Sequence, residues 1–283
     1  MGWKQYMHRI LVLNEITAVM KTITIFFCFG VLLCREAAYA QQNRWTVDVS
    51  GGLALPVGKF ASKNVYDSTS AFAKAGPVIN ASGSYRIISH FGVTALVSIQ
   101  KNAVNNKGMA SALEAANPDY AFAVDEQAWK LGRALGGAYW EWTLDAKKRF
   151  GLRVQALAGV LKVEIPDRKL AQESSYSTGQ VVVEEAELSY KVNKLQFAEQ
   201  FGAELHYAFT RRFFVKVAAD YAGTTIHVGY PAWALASRAD PGTPPLSFST
   251  GTGTLNPPPG SAPTHYSQPL ATINICLGIG MRF

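Results

Sequence analysis

Two groups of residues in this sequence are of types that do chemistry. The first is His265-Tyr266-Ser267. An imidazole two residues from a hydroxyl can act as the base that turns the serine oxygen into a nucleophile toward an acyl carbonyl. Such a base needs a carboxylate to orient it, and no Asp or Glu follows Asp240. The second group is Asp48, Glu141, Asp145, Arg153, Glu204, His206, Lys216, Asp220 and Arg282, charges of both signs that each stand between apolar neighbours. They can form a network only if the fold gathers them into one enclosed space. Zinc-ligand spacing, a phosphate-cradling glycine loop and the G-x-S-x-G nucleophile turn are all lacking. No catalytic set, metal or cofactor is implied.

What must position these residues is a series of strands with two different faces. From residue 41 onward no apolar stretch is long enough to cross a bilayer as a helix. Apolar side chains instead recur at every second position, the strand period. At the C-terminus Ala271, Ile273, Ile275, Leu277, Ile279, Met281 and Phe283 form one face. Thr272, Asn274, Cys276, Gly278, Gly280 and Arg282 form the other. The same alternation runs from Trp45 to Val57, Ala75 to Arg86, Phe91 to Gln100, Ala138 to Asp145, Leu152 to Val160, Phe197 to Phe209 and Phe213 to Tyr221, which predicts eight strands. Leu96 and Leu157 fall on the polar face and Glu199 on the apolar one. Glu199 is therefore expected near the membrane surface or at a bulge. After Val160 the parity breaks, with Lys162 and Glu164 on the apolar side, so the fifth strand is expected to leave the hydrocarbon there.

The connections alternate as well. Those at 88–90, 147–149 and 210–212 are tight, and those at 58–74, 103–132, 166–194 and 230–269 are long. Each tight turn leads into a phenylalanine: Phe91, Phe150 and Phe213. Every backbone N–H and C=O in hydrocarbon must be paired, so a sheet in a bilayer has to close on itself. The expected fold is all-β: an eight-stranded antiparallel transmembrane up-and-down barrel with short periplasmic turns and long extracellular loops. Trp45, Tyr85, Phe91, Phe150, Phe209, Phe213 and Phe283 then make an aromatic girdle at the turn end. An eight-stranded interior is only wide enough for side chains to fill. The nine charged residues named above are expected to pair inside it, because an isolated buried charge is costly.

The N-terminus reads as a separate unit. Lys21, the apolar run 23–33 and Ala38-Tyr39-Ala40 make the three parts of a secretory signal peptide. Cleavage is expected after Ala40, which divides the chain into a signal at 1–40 and a barrel domain at 41–283. Met20 stands just before this pattern, so translation starts at Met1 or at Met20. Cys28 and Cys34 leave with the signal, and Cys276 alone stays, so the mature chain has no internal disulfide. The whole chain carries a net +7, the mature part +5, with the basic residues scattered and without a nucleic-acid motif. A mean hydropathy of +0.04 is too polar for a helical membrane protein.

The terminal string Ile279-Gly280-Met281-Arg282-Phe283 resembles the C-terminal assembly signal of bacterial outer-membrane proteins. With the eight-strand plan, residues 41–283 resemble small outer-membrane barrels of the OmpA/OmpX/OmpW type, and most of all the porin-family outer-membrane β-barrel domain of Bacteroidetes-like bacteria. That resemblance implies residence in the outer membrane of a Gram-negative cell. It implies contact with outer-membrane lipids and lipopolysaccharide, and recognition of Phe283 by the barrel assembly machinery. It also implies a structural or surface-interaction role through the extracellular loops, with a narrow channel for small or hydrophobic solutes as the alternative. Unlike OmpA, the chain is expected to stop at the barrel. His265-Tyr266-Ser267 is similar to the H-x-S of barrel lipid A deacylases, which implies a lipid-modifying enzyme as a third and weaker reading.

Three loop features complete the sequence reading. Asn117-Pro118 is expected to start a short helix over 121–131, with Asn as N-cap and Pro at the first helical position. Val181-Val182-Val183 predicts a hairpin that continues the fifth and sixth strands above the membrane and could offer an edge to a partner strand. Nine of the 13 prolines lie in 231–269, which predicts an extended or disordered segment containing the His265-Tyr266-Ser267 string.

Overall fold

A computed structural model describes residues 44–67, 69–147, 149–175, 181–189, 195–229, 232–238, 247–252 and 265–283. The proposed signal, its cleavage site and both start codons lie outside the described residues.

Eight strands close into a barrel. They are β1 (Trp45–Val57), β2 (Gly76–Arg86), β3 (Phe91–Asn102), β5 (Trp129–Thr143), β6 (Phe150–Glu164), β9 (Gln196–Ala208), β10 (Phe213–Gly229) and β13 (His265–Arg282). All neighbours are antiparallel and follow one another along the chain, and β1 closes on β13 from Thr46↔Arg282 to Val57↔Ala271. The last residue takes part: Phe283 N–H donates to the Trp45 carbonyl at 2.8 Å. The three tight turns sit at one end. In the second, Leu144 N–H bonds the Phe150 carbonyl (2.9 Å) and the Asp145 carboxylate accepts from Phe150 N–H (2.7 Å). The third is closed by the Thr210 hydroxyl accepting from Phe213 N–H (2.8 Å).

Alternation decides which face meets what. Outward positions hold large apolar side chains left exposed, among them Leu53, Ile99, Ile275 and Leu277 (50–66%). Inward neighbours such as Asp48 and Lys216 are 2% and 3% exposed. This is the reverse of a water-soluble protein, and it is stable where the surroundings are hydrocarbon. At the turn end Trp45 packs on Tyr85 (centroids 4.9 Å apart), Phe150 on Tyr207 (4.7 Å) and Phe209 on Phe213 (6.3 Å). Outward-facing Trp140 and Trp142 extend this girdle. Glu199 is exposed at the loop end of β9, and the register through Ala158↔Glu199 and Gly223↔Glu199 is continuous, so no bulge is needed there.

Several expectations are corrected by the structure. β6 keeps its parity to Glu164. Leu157, Leu161 and Val163 point inward, while Lys162 and Glu164 stay outward as before. What changes after Val160 is the interior, which becomes apolar. Lys130 of β5 pairs with Glu164 at 2.7 Å on the exposed outer face. The helix lies earlier than predicted: α1 spans Asn106–Ala116, with Asn105 as the N-cap accepting from Gly108 N–H. Asn117 is its C-cap and Pro118 its stop, and 121–131 holds strands instead.

The long connections build a second sheet. Strands β4 (Tyr120–Glu126), β7 (Arg168–Ser175), β8 (Val181–Ser189), β11 (Ala232–Arg238) and β12 (Ser247–Thr252) pair in the order β12-β11-β8-β7-β4. A hairpin, β7–β8, does form at Val181-Val182-Val183, but it belongs to this second sheet and is not a continuation of the fifth and sixth barrel strands, and both of its edges are taken, by β4 and β11. It therefore offers no free edge. The proline-rich segment contributes β11 and β12, and His265-Tyr266-Ser267 belongs to β13 itself and not to a loop.

Glycine makes room for two of the inward polar side chains. A Cβ on Gly202 would fall on the Asp220 carboxylate, and one on Gly151 would fall on the His206 ring. Gly202→Ala is expected to destabilise the barrel by about 1–3 kcal/mol through overpacking. Urea unfolding in detergent micelles measures this.

Candidate functional site: a filled barrel beneath a five-stranded cap

The interior is layered. Nearest the turn end, Glu141 of β5 stands at the centre of three arginines and a histidine. Its carboxylate takes Arg153 at 2.9 Å, Arg86 at 3.0 Å and His206 Nε2 at 3.5 Å, with Arg282 at 3.9 Å. Arg153 continues to Glu204 (3.8 Å), and its guanidinium lies 4.1 Å from the centre of the Tyr139 ring. Lys216 then bridges Glu204 (2.9 Å) and Asp48 (2.7 Å), and the Ser82 hydroxyl donates to Asp48 at 2.6 Å. Gln155 donates from one amide nitrogen to Glu204 and Asp220, both at 3.3 Å.

The nine sequence-selected residues are thus distributed unevenly. Asp48, Glu141, Arg153, Glu204, His206 and Lys216 meet inside the barrel. Asp220 reaches them through Gln155. Arg282 lies at the rim, over the Phe214 ring at 5.3 Å. Asp145 does not belong to the network: it lies in the β5–β6 turn, where its carboxylate caps Phe150 N–H. The strand ends at Thr143, two residues before Asp145, so its alternation no longer sets the direction of that side chain. Arg86, Tyr139, Gln155 and Ser82 were not selected, although all four stand on the inward faces of their strands, and Ser82 lies directly opposite Asp48. Their alternation was the available signal.

A polar middle layer follows. Arg133 of β5 donates to Gln100 at 2.7 Å, and Asn102 binds the Ala54 and Lys74 carbonyls at 3.2 and 2.8 Å. Buried apolar side chains flank it, Leu135 and Leu157 on the turn-end side and Leu131, Leu161, Ile226 and Leu270 beside it and toward the loop end. The β1–β2 connection drops Phe60 onto this layer from a single 3-10 turn, Gly58–Phe60. Phe60 has no exposed surface and meets Trp129 edge-on at 5.5 Å. Phe72, in the left-handed region at φ 50°, holds the return of the connection. Gln268 of β13 clamps it by donating to the Thr69 carbonyl at 2.6 Å. Lys59 pairs with Asp67, and together with Thr69 it holds the Asp67 carboxyl low, at about 2.

The cap stands over this plug. α1 packs against β4, where the Glu114 carboxylate accepts from Phe122 N–H at 3.2 Å. Glu126 at the end of β4 pairs with Arg168 of β7 at 2.7 Å. Burial pushes the Glu126 carboxyl above its ordinary range, and the Arg168 charge offsets part of that. Among the described residues no group of three or more His, Cys, Asp or Glu is placed to hold a metal, and no helix is long and apolar enough to cross a membrane.

The serine of the His265-Tyr266-Ser267 string finds a different histidine. Ser267 lies opposite His227 of β10, and its Oγ is 3.2 Å from His227 Nδ1 on the exposed face. Among the described residues no carboxylate is hydrogen-bonded to His227, so the third member of a nucleophile–base–acid set is missing there.

A closed eight-strand register, an outward apolar belt and a filled interior define a small transmembrane β-barrel. Neisserial surface protein A is one solved structure similar to it, with a TM-score of 0.39 and 10% identity, covering 86% of this chain and 98% of that one. The attachment invasion locus protein of Yersinia pestis gives 0.36 and 11% over 86% and 100%, and a major outer membrane protein of Thermus thermophilus gives 0.38 and 8% over 84% and 99%. No protein-family model and no curated protein sequence matches the chain. The fold assignment rests on the strand register and not on these likenesses.

Proposed function

We propose that the protein works through its extracellular cap as a surface-interaction barrel, and that its interior is a structural filling and not a conduit. The observation that carries this reading is the double seal. Ion-paired side chains fill the turn end, and an apolar plug around Phe60 fills the loop end. A water-filled path would have to break a buried ion-pair network and also hydrate the plug. Meanwhile five strands and a helix are built above the belt, more than closing four loops requires. In this reading the chain is secreted by a signal cleaved after Ala40. Phe283 serves its assembly, and the belt contacts outer-membrane lipid and lipopolysaccharide.

Planar bilayers test it. Purified barrel is expected to give no discrete conductance steps at any voltage the membrane withstands. Stable unitary steps, kept after removal of contaminating porins, would establish the narrow channel instead.

A further inference from the structure

On three neighbouring strands the outward row changes character at one height. The row that leaves the girdle at Phe91 on β3 reaches Lys101, the row from Trp140 on β5 reaches Lys130, and the row from Phe150 on β6 reaches Lys162. At about 3.3 Å per residue and a tilt of about 40°, each row rises roughly 25–30 Å, the height of the apolar belt of a membrane barrel. The three lysines therefore stand where hydrocarbon gives way to headgroups on the loop side.

Register brings them together. Lys101 lies directly opposite Lys130, and Lys162 lies opposite Gly132, the next outward position of β5. Like charges opposite one another on adjacent strands repel. Lys130 is offset by Glu164 at 2.7 Å. Lys101 and Lys162 are both exposed, and among the described residues neither is paired with a carboxylate. Two positive charges are thus left over around Gly132, where an added side chain would meet nothing within 4 Å. Below them β5 turns only Gly132, Ala134, Gly136 and Ala138 outward before Trp140. Ile99 and Val97 of β3 stand on one side of the upper part of this furrow and Val160 of β6 on the other, all exposed.

We propose that Lys101, Lys130 and Lys162 hold the headgroup of a membrane lipid that carries a phosphate monoester, with one acyl chain lying along the β5 furrow. Charge selects the headgroup. A phosphate monoester carries about −1.5 to −2 near pH 7, which matches the two uncompensated lysines, and a phosphodiester would leave one of them unmatched. Lysine suits the task as a point charge with three donors on a flexible stem. The furrow selects a lipid over free phosphate, because it gives the chain beneath the headgroup a place against the wall. The proposal rests on the reading of the belt as lipid-facing and names one lipid class held at one place on it.

Dioleoyl phosphatidic acid is the probe, added to the full barrel in zwitterionic detergent micelles and read by native mass spectrometry. One molecule is expected to be retained per barrel, saturably. Dioleoylglycerol, with the same chains and no phosphate, is not retained, and dioleoyl phosphatidylglycerol is held about tenfold more weakly. Inorganic phosphate at the same concentration does not displace the lipid. Lys101→Gln combined with Lys162→Gln is expected to weaken retention by about tenfold or more. Lys169→Gln, which removes a cap lysine paired with Glu187, leaves it unchanged. Gly132→Leu keeps the lysines but blocks the top of the furrow, and is expected to weaken retention about fourfold, the contact of one methylene. Heat-modifiable gel migration shows that each variant is folded. The site is overturned if the double variant retains the lipid as tightly, if dioleoylglycerol is held equally well, or if inorganic phosphate displaces the lipid. A lipid-free dimer would also overturn it, the furrow then being a contact between two copies. None of these results alters the silent bilayer expected above, so the lipid site and the surface-interaction reading fail separately.

Discussion

Glu141→Ala is expected to cost about 3–5 kcal/mol of barrel stability, because it strips the shared counter-ion from a buried cation cluster and leaves those charges unpaired. The geometry makes the effect specific. Arg153 and Arg86 each lose their nearest carboxylate, and His206 and Arg282 lose theirs at longer range. Arg153 keeps a second acidic neighbour, Glu204 at 3.8 Å. Reversible urea unfolding into lipid vesicles measures the loss. Asp145→Asn is the matched control: its carboxylate caps a turn, an amide oxygen can take over that bond, and the change is expected to stay within about 0.5 kcal/mol. Equal costs at the two sites would mean that the network is not where stability is held.

The second large effect lies on the opposite face of the wall. Ile275 is half exposed at the middle of the outward row that runs from Ala271 to Met281 on β13. Ile275→Arg is expected to destabilise the membrane-inserted barrel by about 2–4 kcal/mol, the cost of a cation at the bilayer midplane. The same protein in detergent, where micelles deform around the charge, is expected to show a smaller loss. In a water-soluble barrel the sign would reverse, since an exposed isoleucine replaced by arginine improves solubility.

The sequence disclosed the barrel wall because lipid and a polar interior demand opposite side chains. The pattern loses contrast where both sides want the same chemistry. Leu157, Leu161 and Val163 face an apolar plug, and Lys162 and Glu164 face outward at the loop end, so the sequence near Val160 looks like a change of parity when it is a change of filling. Leu96, which also resisted assignment, belongs to the same apolar cluster. The helix was displaced for a related reason. Asn serves at either end of a helix, and Pro suits both its first turn and the position after its stop. Asn117-Pro118 marks an end, while the true cap, Asn105, has no such flag beside it. The cap sheet was legible only in its β7–β8 hairpin. Its other pairings, such as Trp233↔Leu188 and Phe122↔Gln172, join segments far apart along the chain, and no local pattern announces them. The charged network was visible as a set of candidates, but its connections depend on register: Glu141 meets Arg153 because those residues are opposite one another on β5 and β6.

Spin-label accessibility along β13 tests the lipid-facing wall most directly. Single cysteines placed one at a time from 271 to 281, in a Cys276→Ser background and in bilayers, would be read by collision with oxygen, which concentrates in hydrocarbon, and with a water-soluble nickel chelate. The account predicts an oxygen signal that rises and falls with a period of two residues, high at Ala271, Ile273, Ile275, Leu277 and Ile279. It predicts that the positions between them are shielded from both reagents. A flat oxygen profile, or strong nickel contact at Thr272, Asn274 and Gly278, would contradict it.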